Sequence, residues 1–195
     1  MAYSEESKSM RQVWIEAMRP RTLPLALACI ILGTFLAAAD GMVNVAAAIL
    51  AGVTAVNLQI LSNLANDYGD SIHGADHVER AGPKRAVQSG QVTAAAMKRA
   101  IIIFVLLSAL TGLGTLWAAF GTHGLLLALI FLGLGGAAIW AAVSYTASSK
   151  PYGYVGLGDL FVLIFFGWVG VIGTYFLQAQ QFDGALFLPA TSCGL

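Results

Sequence analysis

The sequence predicts an all-α bundle of helices that span a membrane. Of its 195 residues, 58% are hydrophobic and only 10% are charged, and the mean hydropathy is +0.77. Soluble domains carry about 25% charged residues. Five apolar stretches reach the length of about 20 residues that a spanning helix needs. They occupy residues 22–39, 45–65, 100–120, 124–146 and 159–178.

A sixth apolar run, residues 185–195, is too short to cross a bilayer. We therefore expect one intramembrane domain, residues 1–195, that is incomplete at its C-terminus, with five complete spans and the start of a sixth. Cys29 and Cys193 lie in apolar stretches without metal-type spacing, so we expect both to act as small hydrophobic residues. A formal net charge of zero, without a basic face, argues against nucleic-acid binding.

All Lys and Arg residues fall on one side of this topology. They precede the first stretch, lie between the second and third, or lie between the fourth and fifth. Because basic residues are retained on the cytoplasmic side, the N-terminus and both polar loops are predicted to be cytoplasmic. The opposite loops carry no Lys or Arg, which supports the count of five spans.

The second stretch carries polar side chains toward its cytoplasmic end. Gln59, Asn63, Asn66, Asp67 and Asp70 point within an arc of about 100° on a regular helix. An Asp at the centre of a membrane helix costs about 2.5–3.5 kcal/mol, so such residues normally face the bundle interior or a water-filled cavity. We predict that this face lines a cavity. The alternative is an ordinary solvated helix end and loop, where Asp, Asn and Gly are common.

A cation site follows from the carboxylates. Asp67, Asp70 and Asp76 lie within ten residues and would repel one another without a compensating cation. Hard oxygen ligands favour Mg²⁺, which often bridges carboxylates to substrate phosphates. The pattern predicts a site for Mg²⁺ and a polyphosphate at the membrane boundary, with the apolar remainder of the ligand between helices. The residues that complete this site are Arg80, Lys84, Arg85, Tyr145, Lys150 and Asp159.

The stretch NLANDYGDSIHGAD (63–76) resembles the first aspartate-rich motif, NDxxDxxxD, of the UbiA superfamily of intramembrane aromatic prenyltransferases. Asn66, Asp67 and Asp70 match that motif, but Gly74 occupies its last position and the third carboxylate is Asp76. This spacing, followed by ERAGPKR (79–85), resembles the branch that prenylates 1,4-dihydroxy-2-naphthoate. WIEAMRPRTLPLA (14–26) and the stretch 145–179 are similar to that branch as well.

The resemblance implies a nine-helix bundle in the bacterial cytoplasmic membrane, with a central cavity and a Mg²⁺-dependent active site. The implied reaction joins the prenyl group of a polyprenyl diphosphate to 1,4-dihydroxy-2-naphthoate, releases CO₂ and diphosphate, and gives demethylmenaquinone. Asp67, Asp70 and Lys150 are the implied catalytic residues. The implied metal ligands are Asp67, Asp70 and Asp76; the implied diphosphate-binding residues are Asn63, Asn66, Arg80, Lys84, Arg85 and Lys150; the implied acceptor-binding residues are Arg21, Tyr145 and Asp159.

The family's second aspartate motif lies beyond the sixth helix and is not among these residues, so we expect the chain alone to have little or no prenyltransferase activity. Three alternatives stay open at this point. One is a transporter or channel subunit, which predicts charges inside several helices, whereas the other four stretches carry almost none. The others are a prenyltransferase that acts on 4-hydroxybenzoate or haem, and a non-catalytic membrane fragment.

Overall fold

The computed structural model describes residues 8–74 and 85–195, and its regular elements in those ranges are all helical. The all-α prediction is confirmed. The α-helices are α1 (Met10–Met18), α2 (Leu23–Ala39), α3 (Val45–Ile72), α4 (Ala94–Phe120), α5 (Leu125–Ser144), α6 (Gly158–Val162), α7 (Gly173–Ala179) and α8 (Phe187–Gly194). A π segment, Leu163–Ile172, joins α6 to α7, and short 3₁₀ helices occupy Pro20–Thr22, Tyr152–Val155 and Gly184–Leu186.

Five helical stretches in the described ranges are long and apolar enough to cross a membrane, with mean hydropathies between 1.8 and 2.3. This confirms the predicted number of spans. The stretches are Met10–Ala39, Val45–Ile72, Ala94–Phe120, Leu125–Ser144 and Gly158–Ala179.

The polar ends of two spans are helical beyond the predicted boundaries. Helix α3 continues past residue 65 to Ile72, and α4 begins at Ala94 rather than at residue 100. Thr93 caps α4 by accepting a hydrogen bond from the backbone N–H of Ala96. Hydropathy locates only the apolar part of a helix, so the predicted spans are shorter, although the helical periodicity from Gln59 to Asp70 already predicts that α3 continues past residue 65. The extension of α3 carries the motif residues.

Helix α1 was not predicted. Ser9 accepts from the N–H of Gln12, and the Gln12 side chain accepts from the N–H of Ser9, which forms a capping box. Val13 and Ala17 are buried, and the helix packs on α3. The helix ends at Arg19, which has a left-handed φ of 50°, and Pro20 then starts the 3₁₀ helix that leads into α2.

Helix α3 lies at the centre of the described bundle and packs against α1, α2, α4, α5 and α7. Its longest contact is with α4. The hydroxyls of Thr54 and Thr115 lie 3.4 Å apart, and Asn57 Nδ2 lies 3.4 Å from Thr111 Oγ1, so the two helices run antiparallel. The largest side chains that are fully buried are Leu61, Leu64, Met97 and Val171. Leu61, Leu64 and Met97 belong to one core cluster, which holds the polar end of α3 in a fixed orientation.

The last described helix packs closely on the π segment. A Cβ atom on Gly194 would lie 2.9 Å from Leu163 Cα and 3.0 Å from Gly167 Cα. Such close backbone approach needs glycine, as is common between helices in lipid. The sixth apolar run is therefore helical, from Phe187 to Gly194, and closes against the fifth span.

Candidate functional site

A cavity of about 700 Å³ lies between α2, α3, α4, α5, the π segment and α7. Its wall is mostly apolar, and its polar lining residues include Gln59, Ser62, Asn66, Tyr145, Tyr152 and Asp159. Three predicted site residues, Asn66, Tyr145 and Asp159, therefore line one cavity although they come from separate parts of the chain. Of the five residues on the predicted polar face of α3, Gln59 and Asn66 line the cavity, whereas Asn63, Asp67 and Asp70 do not.

Asp67 is buried, with 3% of its surface exposed, and both carboxylate oxygens accept backbone hydrogen bonds. The N–H of Ala86 donates to Oδ2 at 3.0 Å, and the N–H of Val87 donates to Oδ1 at 3.1 Å. These bonds fasten the segment 85–87 to α3. The alternative of a solvated helix end is therefore wrong for Asp67 and for Asp70, which is 7% exposed.

Asp70 binds two partners. Its carboxylate forms an ion pair with Arg85, and the hydroxyl of Tyr154 donates to Oδ1 at 2.6 Å. The guanidinium of Arg85 also donates to the backbone carbonyl of Asn66. A buried carboxylate needs such compensation because its own desolvation is costly. Asp70 and Arg85, which were predicted to belong to one site, are in contact. The contact between Tyr154 and Asp70 was not predicted, because no sequence spacing indicates it.

Asn66 joins α3 to the second polar loop. The hydroxyl of Thr146 donates to Asn66 Oδ1 at 2.9 Å and lies 3.2 Å from the carbonyl oxygen of Ala65. The backbones also touch here, since a Cβ atom on Gly69 would lie 2.5 Å from the Thr146 carbonyl oxygen. These contacts place Tyr145 at the cavity. Sequence reasoning missed Thr146, which the loop composition does not distinguish from its neighbours.

An aromatic group forms the wall next to Asp159. The ring centroids of Tyr145 and Tyr152 lie 5.3 Å apart, and those of Tyr152 and Phe161 lie 3.9 Å apart in a stacked arrangement. All three residues line the cavity. Burial, and then the neighbouring Tyr145, raise the pKa of Tyr152 to about 12. The Tyr152 hydroxyl therefore stays protonated and donates to the Ala141 carbonyl at 2.9 Å.

Other predicted site residues, including Asp67, Asp70 and Arg85, are not among the residues that line the cavity. Asn63 is 3% exposed, and its Nδ2 group donates to the Met18 carbonyl and to Thr22 Oγ1, each at 2.9 Å. Its amide therefore holds the α1–α2 junction against α3. Arg21 and Lys150 are exposed and are not among the residues that line the cavity. The three remaining predictions, Asp76, Arg80 and Lys84, lie outside the described residues.

Oxygen donors for a metal come from two carboxylates. Within residues 8–74 and 85–195, no group of three or more His, Cys, Asp or Glu side chains is arranged to hold a metal ion. Asp67 and Asp70 are hard ligands of the kind that Mg²⁺ prefers. A carboxylate has about four lone-pair sites, and each of these carboxylates uses only part of them for the contacts described above. The donor chemistry therefore fits Mg²⁺.

The fold and the site define a class of protein: a membrane-embedded helix bundle with a mostly apolar chamber, whose wall includes Asn66, Tyr145 and Asp159. The chain belongs to the UbiA prenyltransferase family, whose model matches residues 26–195. This confirms the superfamily resemblance, and no feature of the described spans calls for the transporter alternative.

The chain is similar to several curated relatives. It is 52% identical over 192 residues to the 1,4-dihydroxy-2-naphthoate octaprenyltransferase of Escherichia coli (strain K12), a match that covers 98% of the chain and 62% of the relative. Proteins of the same name from Haemophilus influenzae and Mycobacterium tuberculosis are 46% and 40% identical, over 94% and 93% of the chain and 60% and 59% of the relatives. The chain thus spans about 60% of the length of these relatives. No solved structure gave a significant match.

Proposed function

We propose that this chain forms part of a prenyltransferase that transfers a polyprenyl group from a polyprenyl diphosphate to 1,4-dihydroxy-2-naphthoate. The observation that carries the proposal is the 700 Å³ apolar chamber with Asn66, Tyr145 and Asp159 on its wall. Such a chamber suits an apolar tail with a polar head group. The names of the relatives, which are 52%, 46% and 40% identical, support the naphthoate acceptor.

In the proposed reaction, the C–O bond between the allylic carbon and the diphosphate breaks. A C–C bond forms to the ring carbon that carries the carboxylate, and CO₂ then leaves that carbon. The products are diphosphate, CO₂ and demethylmenaquinone in its hydroquinone form. The departing diphosphate carries the electron pair of the broken C–O bond, so positive groups beside it lower the barrier.

Residues of the chain would serve this reaction in distinct ways. Asp67 and Asp70 would hold Mg²⁺, which neutralises charge on the leaving diphosphate. Arg85 lies beside Asn66 and forms an ion pair with Asp70, so it would hold the Asp70 carboxylate in position. The ring faces of Tyr145, Tyr152 and Phe161 exclude water and attract a developing allylic cation. The other predicted roles, including Lys150 and Arg21, stay predictions.

We also propose that this end of the bundle faces the cytoplasm of a bacterium. The basic residues of the described ranges support this orientation, because Arg19, Arg21, Lys98 and Lys150 belong to the same side of the five-span topology as Asp70. Water-soluble substrates and Mg²⁺ would then reach the site from the cytoplasm, while the prenyl tail enters from lipid.

The test uses a chimera in which the chain is completed with the part of the E. coli relative that it does not match. Transfer of radiolabelled polyprenyl diphosphate to 1,4-dihydroxy-2-naphthoate is measured in membranes with and without Mg²⁺. We expect activity in the chimera that needs Mg²⁺, little or no activity in the 195-residue chain, and loss of activity with Asp67→Asn. Asp183→Asn is the control, because this exposed carboxylate only caps a short helix.

The outcomes separate the parts of the proposal. Activity that is indifferent to Mg²⁺ and to Asp67→Asn would remove the proposed metal site. A chimera that prenylates 4-hydroxybenzoate and not the naphthoate would change the acceptor. A chimera that is inserted but transfers no prenyl group to either acceptor would overturn the proposed function.

A further inference from the structure

Two polar atoms of residues that line the chamber have no hydrogen-bond partner in the part of the chain that the structure describes. They are Oε1 of Gln59 and Oγ of Ser108, and both atoms are shielded from solvent. Ser108 is only 2% exposed. An unpaired buried polar group costs about 1–3 kcal/mol, so native proteins rarely keep one without a purpose. We therefore expect a polar group of a bound ligand to form hydrogen bonds with these two atoms inside the mostly apolar cavity.

The orientation of the Gln59 amide is set by its neighbours. The hydroxyl of Thr22 donates its single proton to the Arg19 carbonyl at 2.9 Å. It can then only accept, and it accepts from Asn63 Nδ2 at 2.9 Å and from Gln59 Nε2 at 3.3 Å. Gln59 must therefore turn its NH₂ group toward Thr22. The oxygen that remains is an acceptor without a donor among the described residues.

Ser108 lies near the level of Gln59. The pairs Thr54–Thr115 and Asn57–Thr111 fix the antiparallel register of α3 and α4, and this register, continued by one turn, brings Ser108 opposite the turn of α3 that follows Asn57. The serine hydroxyl can donate, and Gln59 can accept. A donor and an acceptor on the wall of one cavity are the complement of a ligand that carries hydroxyl groups, because a hydroxyl has one proton and two lone pairs.

An unpaired glutamine oxygen is not sufficient by itself. Gln178 also has a buried Oε1 without a partner in the described residues, while its Nε2 donates to Thr34 Oγ1 at 3.0 Å. Gln178 does not line the cavity, however, whereas Gln59 and Ser108 both do. Gln59 and Ser108 therefore differ from Gln178 in that they offer complementary groups and line the cavity. Gln178 serves as a matched control.

We propose that Gln59 and Ser108 bind the hydroxyl groups of the aromatic acceptor. This inference rests on the proposed function and adds a specificity site to it. Gln59 lies two turns of α3 before Asn66, which is about 10 Å along the helix. The two hydroxyls of 1,4-dihydroxy-2-naphthoate lie on opposite sides of one ring. A ring inside the cavity can therefore present one hydroxyl to Gln59 and the other to Ser108.

The test measures binding of two probes to the 195-residue chain in nanodiscs by their naphthoate fluorescence. The probes are 1,4-dihydroxy-2-naphthoate and 1,4-dimethoxy-2-naphthoate, which has no hydroxyl proton to donate. We expect Ser108→Ala and Gln59→Met each to weaken binding of the dihydroxy probe about 5- to 10-fold, the effect of one lost hydrogen bond. Gln59→Met should leave the weaker binding of the dimethoxy probe unchanged, because a methoxy group has no proton for Gln59. Ser108→Ala should weaken binding of both probes, because a methoxy oxygen still accepts from Ser108, and Gln178→Met should change neither.

Ser108→Ala is the decisive variant, because Ser108 Oγ makes no bond within the described chain that the change would break. Gln59→Met also removes the contact with Thr22, so its thermal unfolding is measured in parallel. Equal binding of the two probes by the unmodified chain, failure of the dihydroxy probe to bind, or no effect of Ser108→Ala would overturn the inference.

Transfer by the chimera decides the proposed function separately. If the chimera transfers the prenyl group normally and neither Gln59→Met nor Ser108→Ala affects probe binding, the hydroxyl site is rejected and the proposed function is retained. Absence of transfer together with selective binding that depends on Ser108 rejects the prenyltransferase and retains the hydroxyl site.

Discussion

The two buried aspartates of α3, Asp67 and Asp70, lie within one helical turn. Both hold neighbouring segments of the chain in place, and both are proposed metal ligands. Asp67 receives two backbone N–H groups, and Asp70 receives a guanidinium and a phenol. A buried carboxylate is stable only with such partners, so each aspartate positions the segment that contacts it. Arg85 stands at the head of that segment, and its place beside Asn66 depends on both carboxylates. Loss of one carboxylate therefore changes the shape as well as the charge of the site.

Asp67→Asn is expected to loosen the segment 85–87. An asparagine side chain offers one carbonyl oxygen, and its NH₂ group would face one of the two N–H donors from Ala86 and Val87. We expect the free energy of unfolding to fall by about 1–3 kcal/mol. The measurement is thermal unfolding of the purified chain, together with limited proteolysis at residues 85–92, with Asp183→Asn as control. Unchanged stability and protection in Asp67→Asn would contradict the positioning role.

At the scale of elements, the site depends on how closely α3 approaches the loop after α5. Thr146 and Asn66 share a hydrogen bond, and the backbones meet at Gly69. The loop then carries Tyr145 and the 3₁₀ helix Tyr152–Val155, whose Tyr154 returns to Asp70. Two polar contacts and one glycine therefore connect the two polar loops across the bundle.

Gly69→Ala is expected to separate these elements. The new methyl group would lie 2.5 Å from the Thr146 carbonyl oxygen and 2.7 Å from the Ala147 nitrogen, and backbone atoms cannot turn away as a side chain can. We expect a destabilisation of about 1–3 kcal/mol, the usual effect of overpacking, and reduced transfer by the chimera. Gly52→Ala is the control on the same helix, because its Cβ would come no closer than 3.7 Å to Leu27 Cδ2. Equal stability of the two alanine variants would show that the approach at Gly69 is not required.

At the scale of the whole molecule, the sequence predicted what local rules determine. Hydropathy predicted the number of spans, and helical periodicity predicted an inward polar face on α3, on which Asn63, Asp67 and Asp70 are buried. The contacts of Thr146 and Tyr154 depend on which loops meet after folding, so no spacing indicates them. Helix α1 carried a visible Ser9–Gln12 capping box, but its mixed composition gave no hydropathy signal.

The arrangement of the spans leads to a prediction about which loops share a side of the membrane. Ser149 and His123 are both exposed, and they lie beyond opposite ends of α5 (Leu125–Ser144). If α5 spans the bilayer, single cysteines at these positions react from opposite sides. The positive-inside rule further assigns Ser149, next to Lys150, to the cytoplasmic side. The measurement is labelling of Ser149→Cys and His123→Cys by an impermeant maleimide in right-side-out and inverted vesicles.

Both variants are made with Cys29→Ala and Cys193→Ala, because these two cysteines are free thiols. We expect Ser149→Cys to react in inverted vesicles and His123→Cys in right-side-out vesicles. Labelling of both from one side would mean that α5 does not span the bilayer and that the cavity wall it forms is not in lipid. Labelling with the sides exchanged would preserve the bundle and place Asp70, Arg85 and the polar end of the chamber on the outer face. Cytoplasmic Mg²⁺ would then have no access to the carboxylates, so this result bears directly on the proposed chemistry.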